Sequence, residues 1–146
     1  MDGKILFYDR EFYMFSNFSS FMVEYKEVLW TTSEHAYQAA KFTDPRIIEE
    51  IRTARSSHDA FKLGRANAES VRTDWDDSKL EVMEEIVRAK LSQHPIIREK
   101  LIETGDREII EDSPVDSHWG WGPKQDGENH LGKIWMRVRK ELAGRV

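Results

Sequence analysis

The chain has 146 residues, enough for one compact domain, and its lack of cysteine excludes a disulfide framework and a thiolate metal site. Its formal net charge of -5 argues against non-specific nucleic-acid binding, because such binding depends on Lys and Arg neutralising phosphates. No apolar run is long enough for a signal peptide or a bilayer span. We therefore expect a single cytoplasmic domain over residues 1–146, without membrane contacts, that binds a small molecule.

Short apolar runs predict strands in the first part of the chain. One strand is predicted over residues 5–8, and two hairpin arms are predicted over residues 22–25 and 28–30. The turn between the arms is Lys26-Glu27, which lacks the Asn-Gly or Asp-Gly pair that two-residue hairpin turns favour.

Helices are predicted for most of the remaining chain, from capping residues and from apolar residues at helical spacing. A loop rich in Gly and Pro occupies residues 113–129. The predicted helices cover residues 32–42, 45–51, 57 onward, 78–93, 95–104 and 131–142, and a short strand covers residues 108–111. The pattern indicates a mainly α fold with a small β component, an α+β domain.

Four polar side chains share one face of the first predicted helix, because they lie three, four and seven residues apart. They are Glu34, Tyr37, Gln38 and Lys41. One interpretation is a solvated surface stripe in which Glu34 only supports the start of the helix. The alternative is a functional face at a crevice, which the alanines elsewhere on this helix favour because small residues allow close packing.

The loop before the last helix combines an acid and a histidine with tryptophans. Asp116, His118, Trp119 and Trp121 lie in a glycine-rich stretch whose backbone can approach a ligand closely. The alternative is a surface loop that its tryptophans anchor to the core. Asn129 follows and can cap the last helix.

Two further segments are candidates for ligand contact. Phe18 can stack on a ring while Asn17 reads the ring's edge, although a packing corner explains the same residues. Arg72 and Trp75 lead into the long helix, where Trp75 can equally be a packing residue.

Several common sites are missing from the sequence. There is no dinucleotide-binding fingerprint, no phosphate-binding Gly-Lys-Ser/Thr loop and no Gly-x-Ser-x-Gly elbow, and the five histidines show no zinc-ligand spacing. Carboxylates and Lys41 are what remain for catalysis.

Seven segments in a fixed order carry a family resemblance. They are Phe-Ser-Asn-Phe at 15–18, Ser-Glu-His-Ala-Tyr-Gln-Ala-Ala-Lys-Phe at 33–42, Lys-Leu-Gly at 62–64, Arg-Thr-Asp-Trp-Asp at 72–76, Thr-Gly at 104–105, Trp-Gly-Trp-Gly at 119–122 and Asn-His-Leu-Gly at 129–132. Together they resemble the NADAR family, also called YbiA-like, over nearly the whole chain. The resemblance implies a compact, mainly α-helical fold and hydrolysis of N-glycosidic bonds without a metal or an organic cofactor.

The resemblance implies two substrate types. The first is a small phosphorylated ribosyl metabolite, a ribosylaminopyrimidine phosphate from early riboflavin biosynthesis. The second is ADP-ribose attached to guanine bases, including guanine in nucleic acid. A non-catalytic module that binds ADP-ribose or a related nucleotide, and a protein whose helices bind a partner, are the alternatives from other classes. The sequence leaves the oligomeric state open.

The resemblance also suggests catalytic roles. Cleavage of the ribose C1–N bond develops positive charge on the sugar and negative charge on the base, as in glycoside hydrolysis. Glu34 is expected near C1, where it stabilises the sugar cation or activates water, with Asp116 as a second acid or base. Lys41 offers another route, because a neutral amine can attack C1 and form a Schiff base.

Substrate contacts are predicted on the same basis. Trp75 and Trp119 are expected to stack on the base, and Lys62, Arg65 and Arg72 to contact phosphate. The other predicted substrate-binding residues are Asn17, Phe18, Tyr37, Gly120 and Asn129.

Overall fold

The computed structural model describes residues 3–144, which form six α-helices and four short strands. The elements are β1 (Ile5–Phe7), β2 (Val23–Tyr25), β3 (Val28–Trp30), α1 (Ser33–Ala40), α2 (Pro45–Arg52), α3 (Ser57–Ala66), α4 (Trp75–Gln93), α5 (Pro95–Glu103), β4 (Ile109–Glu111) and α6 (His130–Gly144), with 3-10 turns at Tyr13–Phe15 and Ala68–Ser70. The predicted mainly α fold with a small β component is confirmed. None of the described helices combines the length and apolarity needed to cross a membrane.

The described residues fall into two compact units. One unit, called the terminal unit below, contains the chain up to Ser16 together with the chain from His94. The other is Asn17–Gln93. The prediction of a single domain over residues 1–146 remains a prediction, and the two units are taken in turn.

In the Asn17–Gln93 unit, β2 and β3 form the predicted antiparallel hairpin, with Val23 opposite Trp30. Lys26 and Glu27 both adopt positive φ, 53° and 68°, which is the backbone of a two-residue primed turn. Because these residues have side chains, this conformation costs more here than it would with glycine. Gln93 fastens the hairpin to the end of α4, since its side-chain amide exchanges two 2.8 Å hydrogen bonds with the backbone of Glu24.

Helix α1 lies at the centre of this unit, where it packs against α2, α3 and α4. Its residues Ser33 to Ala39 are all buried. The interpretation of its polar face as a solvated stripe is therefore wrong for Glu34, Tyr37 and Gln38, which are 6%, 5% and 2% exposed. A helix buried all round is held by its neighbours, so these polar groups have fixed surroundings.

Helix α4 differs in part from its prediction. It begins at Trp75 rather than at Ser78, because the Asp74 carbonyl already accepts the backbone N–H of Ser78 at 3.1 Å. The two aspartates after Trp75 lie inside the first turn, where the positive end of the helix favours carboxylates. Of the apolar residues of α4 at helical spacing, Leu80 is 42% exposed, whereas Met83 and Val87 are buried.

In the other unit, β1 pairs in parallel with β4, and Ile5 lies opposite Ile109. The core beside them contains Phe15 and Trp135, whose rings lie 4.9 Å apart and whose indole N–H donates to the Phe15 carbonyl at 3.1 Å. The segment between β4 and α6 contains no helix or strand, as predicted.

Candidate active site

The amino end of α1 is fixed by a buried network around His35. The Thr32 hydroxyl caps the helix by accepting the His35 backbone N–H at 3.3 Å. The His35 Nε2 lies 3.0 Å from the Ala54 carbonyl, and its Nδ1 lies 2.8 Å from the Thr32 hydroxyl. Because a carbonyl only accepts, Nε2 carries the proton and Nδ1 accepts from Thr32. His35 therefore orients α1, and with it the neighbouring Glu34.

Glu34 carries a buried carboxylate in the first turn of α1. Its backbone N–H donates to the Asn17 carbonyl at 3.0 Å, and its Oε2 accepts from Gln38 Nε2 at 2.6 Å. The Asn17 side-chain amide lies 3.1 Å from the Met83 sulfur, so this predicted binding residue also supports the core. A carboxylate held in this way suits the stabilisation of a developing cation, because it needs no reorganisation when the charge appears.

The partner of Glu34 depends on a glycine in α3. A Cβ at Gly64 would lie 1.9 Å from Gln38 Oε1, so only glycine leaves room for the Gln38 amide. Among the described residues, Gln38 Oε1 is buried without a hydrogen-bond partner. The contact thus fixes the amide that donates to Glu34. Neither Gln38 nor Gly64 was predicted to have this positioning role.

We expect Gly64→Ala to lower kcat by up to about 100-fold at a small cost in stability, because the end of the flexible Gln38 side chain can move but then releases Glu34. Enzyme kinetics and thermal unfolding measure the two effects. Gly3→Ala is the control, since no atom lies within 4 Å of an added Cβ there. An unchanged kcat for Gly64→Ala would show that the Gln38 contact does not position Glu34 for catalysis.

Lys41 follows α1 and completes its polar face. Its Nζ lies over the Tyr37 ring at 5.3 Å, and Tyr37 contacts the Trp75 ring at 5.2 Å between centroids. Burial lowers the pKa of Lys41, the Glu34 carboxylate opposes this shift, and the ammonium of Lys79 adds to it. The surroundings therefore favour the neutral, nucleophilic amine more than water does.

Arg72 lies over the Trp75 ring at 5.9 Å. Its guanidinium donates to both carboxylate oxygens of Asp74, at 2.6 and 2.8 Å, and to the Ala40 carbonyl at 3.3 Å. These bonds hold the cation beside the end of α1. A phosphate would have to replace some of these hydrogen bonds in order to bind Arg72. The predicted phosphate role of Arg72 therefore remains a prediction.

The remaining predicted binding residues of this unit lie around Phe61. The Phe18 ring lies 6.3 Å from the Phe61 ring, and the Arg65 guanidinium lies 5.6 Å from it. Lys62 and Arg65 are exposed on α3. Their roles toward phosphate remain predictions.

A hollow of about 230 Å³ borders α1 on its alanine side. It is lined by Ala36, Ala39 and Ala40, and also by Trp30 and Arg72. Glu34 does not line it, so this hollow is not the crevice expected beside the polar face, and that crevice remains a prediction. The volume of the hollow is also below the range of about 300–1,000 Å³ that ligand sites usually have.

In the other unit, Asp116 organises the tryptophan loop. Its Oδ1 accepts the backbone N–H groups of His118 at 2.9 Å and Trp119 at 2.8 Å. The carboxylate thus holds a local turn, as aspartate commonly does in loops. Trp119 is half-buried and contacts the His118 ring edge-on at 4.6 Å. The catalytic role of Asp116 and the stacking role of Trp119 remain predictions.

Asn129 connects the same loop to β4 instead of capping α6. Its Oδ1 accepts the Glu111 N–H and its Nδ2 donates to the Ile109 carbonyl, both at 2.9 Å. Gly120 is equally constrained, since an added Cβ would lie 2.5 Å from the Glu111 carbonyl. The structure therefore gives both residues packing roles, and their predicted substrate contacts remain predictions.

The predicted site residues are divided between the two units. The terminal unit contains Asp116, Trp119, Gly120 and Asn129, and the Asn17–Gln93 unit contains Asn17, Phe18, Glu34, Tyr37, Lys41, Lys62, Arg65, Arg72 and Trp75. Ring contacts within the second unit join Tyr37, Lys41, Trp75 and Arg72 into one cluster, and the Glu34 carboxylate interacts electrostatically with Lys41. The pairing of Glu34 with Asp116 remains a prediction.

Lys90 is a buried lysine among the apolar residues of α4. It is 1% exposed, its Nζ donates to the Ser19 hydroxyl at 2.9 Å, and it lies over the Phe21 ring at 5.5 Å. Burial lowers the pKa of Lys90 to about 7. A lysine among apolar positions at helical spacing was the signal for this site.

Lys90 is expected to make stability rise with pH. Between the folded pKa of about 7 and the ordinary value of 10.5, the unfolded chain binds more protons than the folded one. The free energy of unfolding therefore increases with pH in this window, by up to about 1.4 kcal/mol per pH unit. Urea unfolding at pH 7, 8 and 9 should show this rise relative to Lys90→Met. Lys140 is exposed, so the free energy of unfolding of Lys140→Met should rise with pH as much as that of the unsubstituted protein. If the free energy of unfolding of Lys90→Met changed with pH as much as that of the unsubstituted protein, the attribution of this pH dependence to Lys90 would be wrong.

Comparison with known proteins gives consistent results. The model of the NADAR domain matches residues 6–143. The N-glycosidase Npun_R5314 of Nostoc punctiforme is 44% identical over 131 residues, covering 88% of this chain and 84% of that protein. The riboflavin biosynthesis protein VVA0006 of Vibrio vulnificus is 40% identical over 97% of this chain, which spans 39% of that protein. The NMR structure of the E. coli protein YbiA superposes with a TM-score of 0.88 at 34% identity, covering 99% of this chain and 88% of YbiA.

Proposed function

This chain belongs to the NADAR domain family and is a hydrolase of N-glycosyl compounds, and from that membership we propose that it cleaves the ribose C1–N bond of ribosylaminopyrimidine phosphates from riboflavin biosynthesis. Two relatives support the proposal by their names, one an N-glycosidase and the other a riboflavin biosynthesis protein. The structural observation that carries it is the buried Glu34 carboxylate, which Gln38 holds at 2.6 Å on the helix that also ends at Lys41.

The proposed chemistry uses Lys41 as the nucleophile. Its neutral amine attacks C1, and the bond from C1 to the pyrimidine amine breaks as that amine takes up a proton that the new Lys41–C1 nitrogen releases. The ring bond from C1 to O4 of the ribose then breaks, O4 takes up a proton, and the bond from C1 to the Lys41 nitrogen becomes a Schiff base. Water then hydrolyses the Schiff base to free ribose phosphate and restores Lys41, so the net reaction consumes one water. Glu34 stabilises the cationic sugar and transfers protons in both halves.

Residues near Lys41 suggest how the substrate is held. The Tyr37 and Trp75 rings form a contacting aromatic pair, on which a pyrimidine can stack. Arg72 lies over Trp75 and is the candidate for the phosphate on this side of the aromatic pair.

The test is to incubate the pure protein with a ribosylaminopyrimidine phosphate and, separately, with ADP-ribose linked to guanine. Mass spectrometry then follows the release of ribose phosphate or ADP-ribose. We expect release from the first substrate and its loss in Glu34→Gln. Release of ADP-ribose from the guanine conjugate, without release of ribose phosphate from the first substrate, would show that the guanine conjugate is the substrate instead. Binding without release from either would overturn catalysis in favour of a nucleotide-binding module.

A further inference from the structure

The side chains of two histidines and a glutamate lie close together in the terminal unit. Glu128 Oε2 lies 2.8 Å from His130 Nε2 and 3.3 Å from His118 Nδ1. One ligand atom from each of the three residues lies within 4.8 Å of the others. We propose that these residues form a binding site for a divalent transition-metal ion, with zinc as the occupant that their chemistry fits.

The three ligand atoms have spacings that suit zinc. Zinc binds imidazole nitrogen and carboxylate oxygen at about 2.0–2.2 Å, so ligand atoms of a tetrahedral site lie about 3.3–3.6 Å apart. The separations of Glu128 Oε2 from the two imidazole nitrogens, 2.8 and 3.3 Å, lie below and at the lower end of this range, so a bound ion would move Glu128 and His130 slightly apart. Two imidazoles and one carboxylate also favour zinc, copper or nickel over magnesium and calcium, which prefer oxygen ligands only.

The backbone holds these ligands in place before any ion binds. The His130 N–H donates to the His118 carbonyl at 3.0 Å, and the Glu128 N–H donates to the Ser117 carbonyl at 2.7 Å. The two segments pack so closely that a Cβ at Gly127 would lie 2.6 Å from the Ser117 carbonyl. These backbone hydrogen bonds hold the two histidines on adjacent segments of the chain. A fixed backbone lowers the entropic cost of ordering the ligands when an ion binds.

The site is open to ions from solvent. The side chains of His118 and His130 are 33% and 26% exposed, and that of Glu128 is 63% exposed. Three protein ligands leave the fourth position of a tetrahedral ion for water or another small ligand. The spacing of the histidines along the sequence did not indicate this site, because a long loop separates them and folds back.

An ion bound here would change the surroundings of the Trp119 ring. Its ring lies edge-on to His118 at 4.6 Å and 6.3 Å from the ring of His130. Metal binding would join the segment that carries this tryptophan to the segment that carries Glu128 and His130, which provides an optical readout that does not depend on turnover. Copper or nickel, which quench indole fluorescence, can report occupation of the same ligands.

The experiment is zinc titration of the chelator-treated, full-length protein by calorimetry. We expect one zinc ion per chain and a loss of affinity of more than about 10-fold in His118→Gln and in His130→Gln, since even changes to outer partners of metal ligands cost 10- to 100-fold. The matched control is His58→Gln, an exposed histidine outside the cluster, which should bind as the unsubstituted protein does.

Two results would overturn the site. One is zinc binding by the unsubstituted protein no tighter than by a variant lacking both histidines. The other is an equal loss of affinity in His58→Gln, which would indicate scattered surface binding. Nickel quenching that disappears in His130→Gln but persists in His58→Gln would support the site independently. None of these measurements uses substrate, so they stand apart from the test of glycosidase activity.

Discussion

Glu34→Gln is expected to lower kcat by about 10²- to 10⁴-fold, the range usual for loss of a group that transfers protons in the transition state. Gln has the shape of Glu and can still accept the hydrogen bond from Gln38, which lies at 2.6 Å in the structure. The charge is lost but the packing of the buried α1 is kept. Steady-state kinetics, calorimetric binding of the substrate and thermal unfolding separate these effects.

A first-turn acid on the adjacent helix supplies the control for this prediction. Asp59 lies in the first turn of α3 and is exposed, so Asp59→Asn removes a carboxylate from a comparable helix position. Its kcat should not change. If Glu34→Gln retained full turnover, Glu34 would have no part in the chemistry and its burial would be a matter of packing alone.

The helices could be predicted because their starts are determined locally. Thr32, Asp44 and Ser56 each accept a backbone N–H two or three residues later, which is the interaction that capping residues favour. The hairpin was predicted from its arms even though Lys26 and Glu27 are poor turn residues. Strand pairing and packing can therefore override an unfavourable turn.

The candidate site was only partly predictable. The helical spacing of Glu34, Tyr37 and Lys41 was sufficient to place them on one helix, and the structure adds that Tyr37 contacts Trp75. The fit of Gln38 against Gly64 depends on how α1 meets α3, which no local pattern encodes. Long-range packing is the part that sequence periodicity does not contain.

Two other features arise from contacts between distant parts of the chain. The parallel pairing of β1 with β4 joins residues near 5 and near 109, and it sets the position of the loop that carries Trp119. The cluster of His118, Glu128 and His130 forms only because that loop folds back on itself. Spacing along the sequence cannot reveal ligands that approach each other in this way.

Reduction with borohydride in the presence of substrate is expected to trap a covalent adduct on Lys41. The adduct should appear by mass spectrometry in the unsubstituted protein and be absent in Lys41→Ala, whose kcat should fall by at least about 100-fold. Lys90→Met is the essential comparison, because Lys90 is a second buried lysine with a lowered pKa. An adduct that persists in Lys41→Ala but disappears in Lys90→Met would move the nucleophile to Lys90.

The charge of Lys79 gives a second test of the same route. Lys79 helps to lower the pKa of Lys41, so Lys79→Met should raise that pKa and reduce the fraction of neutral amine at a given pH. The acidic limb of the kcat/KM profile should then shift to higher pH, because only the neutral amine attacks C1. A profile that does not move, together with no adduct in the unsubstituted protein, would exclude the Schiff base. Direct attack by water activated by Glu34 would then account for hydrolysis.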